Sequence, residues 1–341
     1  MKSEVTSITC CSNYNIKSGH NQEVLVDKGS SGRNRPWNKH KRSSSYLSTI
    51  YKTLGQYSKA ERVKNCASYL DFAEMEEDNK YLRRADFCRV RLCPMCSWRR
   101  SLKAYSQTSE IMNELAKERK YSYIFLTLTV KNCEGKDLSK TIDLMMKAYH
   151  NMTRRAQWKK VFKGAIRSFE VTHNVNSYSE LYDTYHPHVH VILAVDKEAY
   201  AVNEYFSHDD FVYFWREATG VDYDPHVYVE QIKGDTTRAI LETTKYSVKS
   251  ADYLLFDDWK LTQRTVKILD RALDKRRFIS FCGIFAETRK KLKLDDIENG
   301  NLINIDETGD DDTNYNLVRY IWCSGYSQYV KNNTSYYSVS K

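Results

Sequence analysis

The sequence predicts an α+β fold in which helices pack on one antiparallel or mixed sheet and a small cysteine-rich module precedes that sheet. Three observations support this prediction. Short strand-forming runs alternate with single helical stretches from residue 121 onward. Four cysteines fall between residues 66 and 96. The chain of 341 residues is long enough for about two domains of ordinary size.

The elements of the predicted sheet domain follow from the spacing of apolar residues, which is two in strands and three to four in helices. In chain order we expect a strand at 121–130, a helix at 137–160, strands at 164–173 and 187–195, a helix at 207–218, a strand at 225–232 and a helix at 235–256.

Charge divides the rest of the chain. The formal net charge is +9, and residues 1–120 carry 23 Lys and Arg against 13 Asp and Glu, so the whole basic excess is N-terminal. A polyanionic partner is therefore favoured. Between 295 and 312, eight acidic residues occur without Lys or Arg, which predicts a loop ahead of a short aromatic unit, NYNLVRYIWCSGYSQYV.

Four segments result from these patterns. Residues 29–45 hold five Lys and Arg, no acid and mostly small polar residues, which is typical of a mobile basic arm, although a merely solvated linker has the same composition. We expect a flexible basic arm at 1–45, a cysteine-rich DNA-binding module at 46–120, the sheet domain at 121–294, and an acidic loop with the aromatic unit at 295–341.

Several classes of protein are excluded by composition. No apolar run approaches the roughly 18 residues of a membrane span. The first residues, MKSEVTSITC, contain no apolar core of a signal peptide. Nine cysteines, an odd number, favour a reducing compartment with free or metal-bound thiols. We therefore expect a cytoplasmic protein.

A His-x-His pair lies in the predicted strand at 187–195. Because side chains alternate along a strand, His188 and His190 share one face while the apolar residues between and after them face the core. Two imidazoles on one rigid face form half of a metal site. Two ordinary polar histidines are the alternative, and His186 stays undecided because Pro187 separates it from the pair.

A third ligand is expected from the strand at 164–173. Glu170 lies among apolar or small neighbours, where an unpaired carboxylate is costly, and metal coordination would explain it. An exposed Glu on a sheet face is the alternative, and His173 is a weaker extra candidate. Two histidines and one carboxylate leave positions open for water and a phosphate oxygen, as a Lewis-acid catalyst needs.

The predicted helix at 235–256 adds a nucleophile. At 100° per residue, Glu242, Tyr246, Lys249 and Tyr253 lie within about 60° of one another, opposite the apolar face. A solvated helix face is the ordinary interpretation. Beside a metal site, however, Tyr246 can attack a phosphodiester while Lys249 favours the phenolate or holds the phosphate. The product is a phosphotyrosine ester, from which the strand can be transferred.

The cysteines form a second metal pattern. Cys93 and Cys96 form a Cys-Pro-x-Cys turn, and together with Cys88 five residues upstream they are typical of a zinc knuckle. Cys66 is the best fourth ligand by elimination. Buried free thiols are the alternative. Such a module would touch the DNA backbone, and we assign DNA contacts to Arg99, Arg100 and Lys245.

Four ordered stretches and the cysteine pattern resemble plasmid rolling-circle replication initiators of the HUH endonuclease superfamily, in the branch found on small plasmids of Gram-positive type. The resemblance covers about residues 60–290. Its motifs are FLTLTVKN (125–132), GAIRSFEVTHN (164–174), HPHVHVILAV (186–195) and ETTKYSVKSADYL (242–254).

This resemblance implies a five-stranded antiparallel sheet with flanking helices, Mg²⁺ or Mn²⁺ held by His188 and His190, and Tyr246 as the nicking nucleophile. It implies that Glu242 replaces a second tyrosine and activates water to end the cycle. It also implies a nick at the plasmid origin, a free 3′-OH primer, and cooperation with a host helicase and polymerase. Dimer formation is left open.

Two rival functions remain. A relaxase or transposase of the same superfamily often carries paired tyrosines, but here Tyr253 is seven residues from Tyr246 rather than four. A non-catalytic zinc-knuckle regulator with structural histidines would bind DNA without cutting it. Metal-dependent cleavage of single-stranded DNA separates the regulator from the enzymes.

Overall fold

The computed structural model describes residues 23–29, 32–74, 80–198, 206–303, 305 and 315–339. These residues form two compact units. The first contains the described residues up to Cys96 together with those from Leu302 onward, and the second is Ser97–Asn301. None of the helices in the described residues has the length and apolar character that crossing a membrane requires.

The helices and strands have the following bounds. In chain order they are α1 (Trp37–Thr53), α2 (Tyr57–Asn65), β1 (Tyr69–Glu74), β2 (Lys80–Arg84), α3 (Pro94–Glu118), β3 (Tyr121–Thr129), α4 (Leu138–Thr153), α5 (Ala156–Val161), β4 (Phe162–His173), β5 (Tyr185–Asp196), α6 (His208–Thr219), β6 (Val227–Ile232), α7 (Thr237–Thr243), α8 (Trp259–Ala272), β7 (Ile279–Gly283), α9 (Ile284–Lys291), β8 (Tyr315–Cys323) and β9 (Gln328–Val339), with a 3₁₀ turn at Ser250–Asp252.

The second unit is built on a five-stranded sheet in the order β6-β3-β5-β4-β7. Every neighbouring pair in it is antiparallel. The α+β class and the antiparallel sheet are thus confirmed, as are the four predicted strands within a few residues and the predicted helix at 207–218.

One face of this sheet changes character along the strands. On β4 and β5, Ile166 and Ile192 join a buried apolar cluster that includes Met112 of α3, Ile240 of α7 and Phe285 of α9. Farther along the same face, the alternating positions become polar: Ser168 and Glu170 on β4, His190 and His188 on β5. The helices therefore cover the apolar end of this face, and the polar residues occupy the other end.

The first unit contains a four-stranded antiparallel sheet in the order β2-β1-β8-β9. Its β1–β8 pair is reinforced by a bidentate ion pair in which Arg319 donates to both oxygens of Asp71, at 2.7 and 2.8 Å. Asp71 is buried, so this pairing matches its charge. Tyr329 of β9 donates its hydroxyl hydrogen to the Ala67 carbonyl at 2.6 Å.

The prediction of a mobile basic arm is wrong for residues 37–45, which lie in α1. Buried side chains recur along α1 at helical spacing, among them Trp37, Lys41, Ser44, Leu47 and Tyr51. The composition of 29–45 concealed this period because Lys and Ser occupy positions that are usually apolar. Residues 1–22 of the predicted arm lie outside the described residues.

The predicted C-terminal segment does not stand apart either. The aromatic unit forms the hairpin β8–β9, and β8 pairs with β1, so it shares a sheet with the N-terminal module. The start of the acidic loop is anchored in the second unit, where Asp295 accepts from Lys103 at 2.6 Å and Asp296 pairs with Arg277 at 2.8 Å. Residues 306–312 lie outside the described residues.

The predicted helix at 235–256 is wrong beyond Thr243, where α7 ends. The Val171 amide on β4 donates to the Ser247 carbonyl at 2.8 Å, so the chain leaves the helix and runs beside β4. The segment after α7 thus bonds to β4 beyond Ser168, the residue at which the pairing of β4 with β7 ends. The predicted helix at 137–160 is likewise two helices, α4 and α5, separated by an extended Arg155.

Candidate functional site

Glu170, His188 and His190 form a compact group at the polar end of the sheet face. The β4–β5 register places His188 opposite Glu170 and His190 opposite Ser168. The Glu170 Oε2 atom lies 3.1 Å from Nε2 of His190 and 3.7 Å from Nε2 of His188. The three possible ligand atoms lie within 4.8 Å of one another, so this group is able to hold a metal ion.

Neighbouring strands orient the two imidazoles. On β3, the Thr127 hydroxyl is 3.1 Å from Nδ1 of His190. The His190 ring also stacks on Phe125, with centroids 5.8 Å apart and planes at 13°. Nδ1 of His188 is buried without a hydrogen-bond partner in the described part of the chain. Side chains held on three paired strands form a preorganised site.

The charge of this group is set by burial and by mutual contact. Burial alone raises the pKa of Glu170, but the hydrogen bond from His190 and the charges of His188, His190 and Lys249 outweigh it and lower that pKa. Burial lowers the pKa of His188 to about 4. At neutral pH the group therefore presents a carboxylate and a neutral His188, the forms that bind metal.

Two other predicted histidines lie outside this group. His186 neighbours His188 on the strand, with ring centroids 5.0 Å apart, but it is not among the three grouped residues. Both ring nitrogens of His173 lie 2.9 Å from oxygens, the carbonyl of Asp252 and the carboxylate of Asp183. His173 is therefore committed to hydrogen bonds rather than to a metal.

Tyr246 lies in the non-helical segment after α7, directly before the Ser247 carbonyl that receives the Val171 amide. Val171 follows Glu170 on β4, so this backbone contact brings the segment alongside the metal-binding group. Farther along, the Lys249 ammonium is 3.9 Å from Oε1 of Glu170. Burial raises the pKa of Tyr246 to about 12, so its hydroxyl is protonated at neutral pH.

The expected alignment of Glu242 and Tyr246 on one helix face is wrong, because α7 ends between them. Glu242 forms an ion pair with Lys245, and Tyr253 is buried at 1% exposure. The sequence interpretation missed Asp252. Its pKa is raised to about 6 by burial, partly offset by Lys249 and increased by Glu170. Asp252 belongs to no sequence motif, so no pattern in the sequence indicated that its carboxyl lies beside Lys249.

The four cysteines form the second group, in the first unit. Their sulfurs lie within 4.8 Å of one another, with Cys66, Cys93 and Cys96 buried and Cys88 half-buried. The Cys96 sulfur lies 3.6 Å from the sulfur of Cys66 and 3.6 Å from the sulfur of Cys88. The Arg89 amide donates to the Cys96 sulfur at 3.2 Å. This set is also able to hold a metal ion.

Helix α1 supports the cysteine group with two polar side chains. The Ser44 hydroxyl lies 3.4 Å from the Cys93 sulfur. The Lys41 ammonium, in a residue 1% exposed, donates to the carbonyls of Lys64 and Cys66 at 2.8 and 2.6 Å. Burial raises the pKa of the Cys93 thiol, but hydrogen bonds from the other three cysteines and Ser44 reverse that effect and lower it well below its usual value.

The residues assigned to DNA contacts are placed unevenly. Arg99 is buried at 2% exposure, so its assignment to the DNA backbone is wrong. It stacks against Trp98, 5.6 Å from the ring centroid. Arg100 donates to the Glu298 carbonyl at 3.3 Å. Lys245 is exposed, although it pairs with Glu242. Both arginines lie in α3, and the helical spacing of its apolar residues could have indicated that Arg99 faces the core.

Fold and sites together define a two-unit α+β protein with two separate groups of potential metal ligands. The family model of a replication protein matches residues 79–330. The chain therefore belongs to the replication protein family, and its resemblance to plasmid replication initiators is confirmed. No solved structure matches it.

Individual relatives match over nearly their whole length. "Protein rep" of Streptococcus pneumoniae is 37% identical over 318 residues, covering 91% of this chain and 96% of the relative. "Protein rep" of Bacillus amyloliquefaciens is 33% identical, with 92% and 98% coverage. "Protein rep" of Lactiplantibacillus plantarum is 35% identical, with 85% and 91% coverage.

Proposed function

We propose that this protein initiates rolling-circle replication of a plasmid by nicking one strand at the double-strand origin. The observation that carries the proposal is the buried Glu170-His188-His190 group, with Lys249 beside it and Tyr246 on the same segment. Membership in the replication protein family supplies the DNA context. Such a group has no evident structural purpose, since two buried polar side chains and a half-buried third, His188, are costly in a sheet face.

Mg²⁺ or Mn²⁺ fits this group. A carboxylate oxygen and two imidazole nitrogens converge, and only three protein ligands leave room for water and a phosphate oxygen. When bound, the ion supplies Lewis-acid activation of the phosphodiester. Thr127 and Phe125 would hold His190 in place during this role.

Tyr246 is the proposed nucleophile. Its oxygen attacks the phosphorus, the new bond is tyrosine oxygen to phosphorus, and the bond from phosphorus to the 3′ oxygen breaks. The phenolic proton passes to solvent water, and the 3′ oxygen takes a proton from solvent water to become the 3′-OH primer. Because burial holds the Tyr246 pKa near 12, the phenol needs help to ionise, and we assign that help to the ammonium of Lys249, which lies on the same segment and 3.9 Å from Glu170.

We assign termination to strand transfer or to hydrolysis of the 5′-phosphotyrosine by water that Glu242 activates. For that role Glu242 must release Lys245, its ion-pair partner in this structure. Zn²⁺ at the four cysteines would fold the first unit for binding to origin DNA. In the bacterial cytoplasm a host helicase would unwind the duplex and a host polymerase would extend the primer. Dimer formation is left open.

The test is covalent capture of a single-stranded origin oligonucleotide in the presence of Mn²⁺. Wild type should give a protein–DNA adduct on a denaturing gel, and Tyr246→Phe should give none. Tyr228→Phe is the matched control, because it removes the same hydroxyl from a tyrosine that is 41% exposed on the edge strand β6. An unchanged adduct with Tyr246→Phe would remove Tyr246 as the nucleophile. Absence of cleavage by wild type would favour the non-catalytic DNA-binding regulator.

Glu242→Ala tests the termination step separately. This variant should still nick the oligonucleotide but should accumulate the adduct, because the water-activating carboxylate is gone. The amount of adduct is followed over time after a chase with unlabelled oligonucleotide. Rapid release of the DNA end from Glu242→Ala would exclude Glu242 from the mechanism.

A further inference from the structure

His173 occupies an unusual position at the end of β4. Its side chain is fully buried and its ring stacks on Tyr185, with centroids 4.5 Å apart and planes at 9°. One ring nitrogen, Nε2, lies 2.9 Å from the Asp183 carboxylate, and the other, Nδ1, lies 2.9 Å from the Asp252 carbonyl. Both oxygens accept hydrogen bonds, and each lies at hydrogen-bond distance from one nitrogen of the ring.

The two partners of His173 belong to different parts of the second unit. Asp183 lies in the turn between β4 and β5, and Arg264 of α8 also binds it at 2.5 Å. Asp252 ends the 3₁₀ turn that follows Lys249, and its amide donates to the Lys249 carbonyl at 2.9 Å. His173 therefore ties the turn carrying Lys249 to the strand carrying Glu170.

A second contact fixes the other end of the same segment. The Val171 amide donates to the Ser247 carbonyl at 2.8 Å, one residue after Tyr246. The segment from Tyr246 to Asp252 is thus held to β4 at both ends, by the backbone of Val171 and by the side chain of His173. Only the second of these contacts depends on the identity of a side chain.

We propose that His173 is a positioning residue for nicking: it fastens the segment 246–252 to β4 and so sets Tyr246 and Lys249 against Glu170. This inference rests on the proposed nicking by Tyr246. Asp183 and Arg264 hold the imidazole in turn, in the way that outer hydrogen bonds hold a catalytic group. Misplacement of a nucleophile by about 1 Å costs on the order of a hundredfold in rate.

The test compares His173→Phe, His173→Gln and wild type. Phe keeps the ring and its stacking on Tyr185 but loses both hydrogen bonds, whereas Gln restores a donor. We expect single-turnover adduct formation to fall about a hundredfold in His173→Phe and to recover in part in His173→Gln. Oligonucleotide affinity, measured by fluorescence anisotropy, and Mn²⁺ affinity, measured by calorimetry, should stay unchanged in both.

Asp183→Asn keeps the proposal testable if His173→Phe does not fold. Acting through His173, it should slow adduct formation, and the double variant with His173→Gln should be no slower than the slower single variant. His150→Phe, at an exposed histidine of α4, is the control for the substitution itself.

Three results would overturn the inference. Adduct formation at the wild-type rate in His173→Phe or Asp183→Asn would show that the segment needs no such fastening. A loss of Mn²⁺ affinity in His173→Gln would make His173 a metal ligand. Additive rate losses in the double variant would show that the two residues do not act together. If wild type itself forms no adduct, the proposed function fails instead.

Discussion

The two groups of potential metal ligands differ in closure. The cysteine group offers four ligands, three of them buried, and α1 covers it with Lys41 and Ser44. The sheet group offers three ligands, and the Lys249 side chain beside it is 51% exposed. Four protein ligands saturate a tetrahedral ion, whereas three leave a position for substrate. The chain thus has a closed group, the four cysteines, which is suited to folding. It also has an open group, Glu170, His188 and His190, which is suited to chemistry.

The supports of the two groups differ in the same sense. The cysteines come from segments outside regular strands, at the end of α2, in the loop before α3 and in its first turn. Glu170 and both histidines lie on paired strands that exist without any ion. We therefore expect metal removal to unfold the surroundings of the cysteines and to leave the sheet intact.

The largest effect should come from Cys93→Ser. Cys93 is fully buried, and its loss removes a ligand from the closed group, so the first unit should lose zinc and its cooperative unfolding transition. Zinc content by mass spectrometry and a thermal melt measure both. Cys282→Ser, at an exposed cysteine of β7, is the matched control and should behave as wild type. Full zinc retention in Cys93→Ser would show that the group is not closed.

Glu170→Gln should separate stability from activity in the open group. The amide keeps the size of the side chain but loses the charge that attracts a cation, so Mn²⁺ affinity and adduct formation should each fall about a hundredfold. The melting temperature without metal should fall only slightly, because the cost of burying the Glu170 charge offsets most of the gain from the contacts that lower its pKa. Glu134→Gln on the surface is the control. Unchanged Mn²⁺ affinity in Glu170→Gln would contradict the assignment.

The sequence was informative where chemistry lies on regular elements. Alternation along β5 was enough to put His188 and His190 on one face, because a strand repeats every two residues whatever its partners, and Glu170 was singled out by its apolar neighbours. The register that brings His188 opposite Glu170 depends on pairing between strands, which no local pattern encodes. The three residues were predicted, but their contacts were not.

The sequence misled where tertiary contacts replace local preference. The helical pattern continues past Thr243, yet the Val171 amide needs an acceptor where β7 stops, and Ser247 supplies it in a non-helical segment. Lys41 looked like part of a solvated basic arm, but it is buried as a donor to two carbonyls. In both places a buried backbone group required a partner, and that requirement decided the structure.

Acid should lower the stability of the second unit over a pH range that His188 of the open group sets. Burial lowers the pKa of His188 to about 4, against about 6.5 in the unfolded chain. As the pH falls from 6.5 to 4, His188 takes up a proton in the unfolded chain but not in the folded protein. The free energy of unfolding is therefore unaffected by His188 above about pH 6.5 and decreases below it. The loss should reach about 2–3 kcal/mol in metal-free protein.

Urea unfolding of the second unit between pH 7 and pH 4 measures this loss. His188→Asn should flatten the pH dependence by about the same amount, because the group that titrates in the unfolded chain is gone. An equal slope in wild type and His188→Asn would assign the acid sensitivity to other residues.

The smallest effect tests how the open group is supported. Without metal, Nε2 of His190 donates to Glu170, and Nδ1 then accepts from the Thr127 hydroxyl. With metal on Nε2, Nδ1 must carry the hydrogen and donate to Thr127 instead. A hydroxyl serves both arrangements and a methyl group serves neither, so Thr127→Val should lower Mn²⁺ affinity about tenfold.

Thr129→Val is the matched control for Thr127→Val. It lies two residues along β3 on the same face, opposite His188 in the β3–β5 register, and its hydroxyl donates to the His226 carbonyl at 2.9 Å instead of contacting an imidazole nitrogen. Calorimetry should therefore find wild-type Mn²⁺ affinity in Thr129→Val and weaker binding in Thr127→Val. Equal affinities in the two variants would mean that the strands alone orient His190, and that the open group needs no outer hydrogen bond.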